Sequence, residues 1–155
     1  MPLIPVHATI STASQERIAA AVGVLRQELS FLVKMTPAEG KSLAKMGDKA
    51  QTFVQKSAEF AVRNPDYLPR RFDLETMLQD VELLEDLYPI LMSLTDLREQ
   101  MNDTYRVVGN QAYTAARKIY ISAKATGEGE VDGSLSQLGR HFRKTRKPQT
   151  DAEAS

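Results

Sequence analysis

A chain of 155 residues is the size of one ordinary domain and can bury a core without a covalent staple. It has no cysteine, which excludes disulfides, thiolate metal sites and thiol catalysis and fits a reducing compartment. Its 20 basic and 20 acidic residues cancel, which argues against a dedicated nucleic-acid binder, since such domains are usually basic overall.

The N-terminal stretch "MPLIPVHATISTA" has no basic region, and Pro2 and Pro5 interrupt its apolar part, so it does not read as a signal peptide. No apolar run approaches the roughly 18 residues of a membrane span. A soluble, cytoplasmic protein is expected, with residues 1–11 as a flexible lead.

In "SQERIAAAVGVLRQELSFL", Ile18, Val22, Leu25, Leu29 and Leu32 recur at four- and three-residue steps. That spacing predicts an amphipathic helix over about 13–33. Thr12 and Gln15 read as its capping box. Thr36, Pro37 and Glu39 then form a second helix start. "KMGDK" interrupts, with Gly47 ending a two-turn helix and Asp48 capping the next. Ala50, Phe53, Val54, Ser57, Phe60 and Ala61 give the inner face of this second helix. Asn64-Pro65 ends it, because the residue before proline is pushed out of helical geometry.

After "PDYLPRRF", Asp73 is the expected cap of a third helix. Its stripe is Leu74, Met77, Val81, Leu84, Tyr88, Leu91 and Leu94, continuing through Leu97 and Met101. Pro89 inside the stripe removes one hydrogen bond and predicts a kink. The following reversal has two candidate positions. One is "MNDT" at 102–104, with Asp103 as cap; the other is Gly109-Asn110. Length matching favours the first, since it leaves four helices spanning roughly 30 to 45 Å each. Gly109 would then mark a close helix contact. The fourth helix, about 104–126, presents Val108, Ala112, Ala116, Ile119 and Ala123. "ATGEGEVDG" supplies a Gly-rich linker at 127–133. Leu135, Leu138 and Phe142 predict a short helix at 134–143, and 144–155 is a charged tail with nothing to bury. These elements make an all-α, antiparallel up-down four-helix bundle over 12–126 the natural architecture, with a short C-terminal helix.

"FLVKMTPAEGKSLAKMGDKAQTFV", "NPD" and "NDTYRVVGNQAYTAA" resemble a family of short uncharacterised bacterial proteins. The resemblance covers about residues 12 to 142. It implies a four-helix bundle and no particular chemistry, and "RKTRKPQTDAEAS" looks like an addition to the family pattern.

No catalytic constellation emerges. The two histidines, His7 and His141, stand near the ends, and neither follows a glutamate by three residues, as a di-iron bundle requires. Glu82, Glu85 and Asp86 read as a solvated helix face rather than an acid/base pair. "GEGEVDG" lacks the lysine of a phosphate-binding loop. No cofactor, metal or membrane partner is expected.

Three surface groups remain. Arg140, Arg143, Lys144, Arg146 and Lys147 form a basic run that would meet nucleic acid or an acidic partner. Tyr105, Tyr113 and Tyr120, spaced by eight and seven with Arg117, would form an interface stripe. Lys41, Lys45 and Lys49 stand near two helix starts and are a candidate anion site. Charge is also segregated: Asp73 to Leu97 holds seven acids and no base, while Thr104 to Gly127 holds four bases and no acid. The expected role is a non-catalytic, self-associating interaction or scaffold protein. The alternative is a nucleic-acid-associated accessory protein using the basic run and the fourth helix.

Overall fold

The computed structural model describes residues 4–126 and 132–145. The described residues are all-helical, with no strand among them. In chain order they form α1 (Thr12–Glu28), α2 (Pro37–Ser42), α3 (Asp48–Arg63), a 3₁₀ turn (Pro65–Tyr67), α4 (Leu74–Thr126) and α5 (Asp132–Thr145). None of these helices is long and apolar enough to cross a membrane. The chain divides into two units. One is Ala8–Glu99; the other takes the described residues of Met1–His7 and Gln100–Ser155.

In the first unit the helix ends follow local chemistry. Ser11, one residue before the expected Thr12, is the N-cap of α1, and its hydroxyl accepts from the Ser14 N–H. Gln15 reaches back to the Ile10 carbonyl instead of completing a box with Thr12. α1 stops at Glu28, short of 33, where the Leu29 N–H closes on the Leu25 carbonyl. The chain must then extend, because Thr36 precedes a proline and takes φ −72°, ψ 158°. Thr36 and Glu39 form the expected capping box of α2. Gly47, rather than Asp48, is the N-cap of α3, and Asp48 stands in its first turn. At the other end both the N–H and the side-chain amide of Asn64 donate to the Phe60 carbonyl. Phe60 meets Tyr67 with ring centres 6.0 Å apart.

α3 packs on the beginning of α4. Gln51 and Gln55 stand beside Leu84, Glu85 and Tyr88. Ala58 and Val62 stand beside Leu78 and Val81. Gln55 donates to Glu85 at 3.0 Å. Ala58 and Ala61, 5% and 4% exposed, are the only buried apolar residues of this unit. Leu74, Met77, Val81 and Leu84 are half-buried.

The expected reversal between a third and a fourth helix is absent at both candidate positions, because α4 is a single helix of 53 residues. The stretch 98–110 holds no proline. A lone interior glycine costs only about 1 kcal/mol relative to alanine, so Gly109 does not end the helix. Nor does Gly109 mark a close contact, since a Cβ built there meets nothing within 4 Å. α4 also runs through Pro89.

Asp73 caps α4. Its carboxylate accepts from the Thr76 hydroxyl at 2.7 Å and the Thr76 N–H at 3.0 Å. These bonds hold its carboxyl below the ordinary value of 3.8. Glu39 is likewise lowered, by bonds from the backbone and then the side chain of Thr36. Hydrogen bonds to the charged form lower a folded-state pKa, so their stabilisation is full above the unfolded value and fades as pH falls through the folded one. Acidification below the ordinary carboxylate range is expected to fray the first turns of α2 and α4. Amide exchange at Thr76 and Glu39, followed against pH, checks this. Asp73→Asn should abolish the pH dependence at Thr76 alone.

Candidate interaction surface

The second unit is built around the C-terminal part of α4. α5 returns beside it: the rings of Tyr113 and His141 meet edge-on with centres 6.0 Å apart. Gly139 is buried, and a Cβ there would stand 3.3 Å from the Tyr120 hydroxyl. Glycine at this position therefore lets the α5 backbone approach the tyrosine, because a methyl group would force Tyr120 to shift. Leu135 is half-buried, while Leu138 and Arg140 are exposed.

The N-terminal segment is fastened to the same helix. The Val6 N–H donates to Gln111 Oε1 at 2.9 Å, and Gln111 Nε2 donates to the Val6 carbonyl at 3.1 Å. One side-chain amide thus satisfies both main-chain groups of Val6, as a neighbouring strand would. The residues lie 105 apart in sequence, and no local pattern announces the pairing.

The sequence-predicted groups are distributed unevenly. Tyr113 and Tyr120 both lie against α5, whereas Tyr105 is 80% exposed. Tyr113 is 45% exposed and Tyr120 half-buried. Arg117 is exposed. Of the basic run, Arg140 is exposed on α5. Arg143 and Lys144 belong to the α5 backbone, but their side chains, and Arg146 and Lys147 altogether, lie outside the described residues. Lys41 is in the last turn of α2, Lys45 lies in the link, and Lys49 is in the first turn of α3; all three are exposed. The helix starts near them already hold the acids Glu39 and Asp48, which reduces any attraction for an outside anion. His7 is exposed. Among the described residues, no three His, Asp or Glu side chains gather as a metal set.

The most extensive feature is apolar. In the first unit, Ile90, Leu94 and Leu97 are exposed on α4. In the second unit, Met101, Tyr105 and Val108 are exposed on the same helix. Within each unit, steps of four and three keep the three residues on one side of the helix. The sequence pattern identifies Leu94, Leu97 and Met101 as an inner stripe, and all three are exposed. α1 shows the same feature, with Ile18, Val22 and Leu25 all exposed.

Replacing Gln111 by alanine is expected to release Val6. A typical intramolecular hydrogen bond contributes about 1 kcal/mol, so Val6 amide exchange should rise roughly fivefold. Gln111→Glu keeps an acceptor for the Val6 N–H but loses the donor, and should fall between. Comparison of the chain with protein-family models, with curated proteins and with solved structures finds no match.

Proposed function

We propose that the protein is a non-catalytic, self-associating helical scaffold, whose core is completed by a second copy of the chain. The observation that carries this reading is the exposure of apolar side chains at core spacing on α4. Leu97 is 55% and Met101 67% exposed, in the middle of the longest helix. Scattered exposed leucines are ordinary, but a periodic row of large apolar residues marks an interaction site. Fully covering one such residue contributes about 1.5 to 3 kcal/mol. A self-complementary patch uses each contact twice, because a two-fold interface places the same surface on both copies. The four-helix bundle read from the sequence then becomes an arrangement formed between copies rather than within one.

Leu94→Asp together with Leu97→Asp should keep the helix content, since both side chains are exposed, and should weaken association. Loss of about 1.5 kcal/mol at each of two symmetry-related sites corresponds to at least a hundredfold rise in Kd. Light scattering and circular dichroism on the double variant and the parent check this. An unchanged mass at matched concentration would remove α4 as the interface.

A further inference from the structure

We infer that the outward side of α3 binds an acidic amphipathic helix of a partner protein. Every residue involved lies on α3 or on the 3₁₀ turn that follows it, and the inference does not depend on self-association through α4. Lys49, Phe53, Lys56 and Phe60 recur at steps of four, three and four, which sets them in one line along the helix. The sequence pattern places both phenylalanines on an inner face, yet Phe53 is 72% and Phe60 53% exposed. The cause is the position of the small residues. Ala58 stands beside Leu78 and Val81, and it lies five residues from Phe53, roughly 140° around the helix. Packing the small side of α3 on α4 therefore turns the rings to solvent. Val62, the other large apolar residue exposed on α3, stands beside Leu78 and outside the line. The line continues past the helix end, because Tyr67, also exposed, meets Phe60 with ring centres 6.0 Å apart.

The chemistry of the line selects its partner. Lys49 and Lys56 are exposed and alternate with the rings, and an open cleft among these side chains is lined also by Thr52 and Ser57. The seven-residue step between the lysines is two helical turns, about 10.5 Å. A helix lying along α3 repeats at the same interval. Carboxylates seven residues apart on it meet both lysines, while apolar side chains between them pack on Phe53 and Phe60. Aromatic residues are enriched at such contacts.

Two other anionic partners fit less well. A helix lying on an anionic membrane carries its cations on the polar side, away from the inserted rings; here both lysines stand in the ring line. A nucleic-acid strand carries negative charge at every nucleotide. It would meet Asp48, Glu59 and Asp66, which are exposed and adjoin Lys49, Phe60 and Tyr67 in sequence. A peptide places its charges selectively and can keep acids away from those three positions.

The test titrates the full chain into a labelled helical peptide in which glutamate and leucine alternate at steps of three and four residues. Fluorescence anisotropy should show binding that weakens with added salt. Lys49→Glu together with Lys56→Glu should weaken it about tenfold, as for the loss of two exposed ion pairs. The same double variant should bind a peptide that carries lysine in place of glutamate. Phe53→Ser together with Phe60→Ser should weaken the acidic peptide by at least about tenfold. All four side chains are exposed, so circular dichroism of both double variants should match the parent. Absence of binding by the parent chain, or binding untouched by both double variants, would overturn the inference. Tighter binding of oligothymidylate or of phosphatidylserine vesicles, lost in the same variants, would also overturn it and assign the surface to nucleic acid or to membrane.

Discussion

The helix α4 has 53 residues, whereas α3 at its start and α5 at its end have 16 and 14. That mismatch is the constraint on which the rest of the structure depends. α3 covers the start of α4, and α5 with Val6 occupies part of its end. Among the described residues, Ile90, Leu94 and Leu97 in one unit and Met101, Tyr105 and Val108 in the other are exposed. Among the described residues, only small ones are deeply enclosed: Ala58 and Ala61 on α3, and Gly139 on α5. Side chains in this condition gain by burial against something external, since the hydrophobic effect is non-directional and scales with area removed from water.

Polar groups then set which external partner fits. An interface of leucine and methionine alone would accept many partners and several registers. The segregated charge of α4 narrows the choice, because its two arms have opposite sign and are complementary to each other. On the proposed self-association, acidic and basic stretches of opposite sign are what a second copy of the chain can complement.

What the sequence made legible is what local chemistry decides. The capping box of Thr36 and Glu39, the stop at Asn64-Pro65 and the Asp73 cap each depend on residues within a few positions of one another. The continuity of α4 was not legible. Asn102, Asp103, Gly109 and Asn110 look like a turn, yet each costs a helix about 1 kcal/mol or less, and no proline enforces the break. Length matching within one chain suggested the reversal, and that assumption fails if the matching helix comes from another copy. The Gln111 pairing with Val6 was equally hidden, because a glutamine 105 residues from its partner carries no local signature. In α1, the stripe of Ile18, Val22 and Leu25 reads as core although all three are exposed; periodicity identifies a face that seeks burial, not whether the chain itself provides the cover.

The central claim is that the row on α4 is covered by a second copy. Sedimentation equilibrium of the full chain, run from low to high micromolar concentration, tests it most directly. The account predicts a reversible shift to twice the 17.3 kDa chain mass, with the dimer weakened by salt as opposite charges are screened. A single species at the chain mass throughout the range would contradict it.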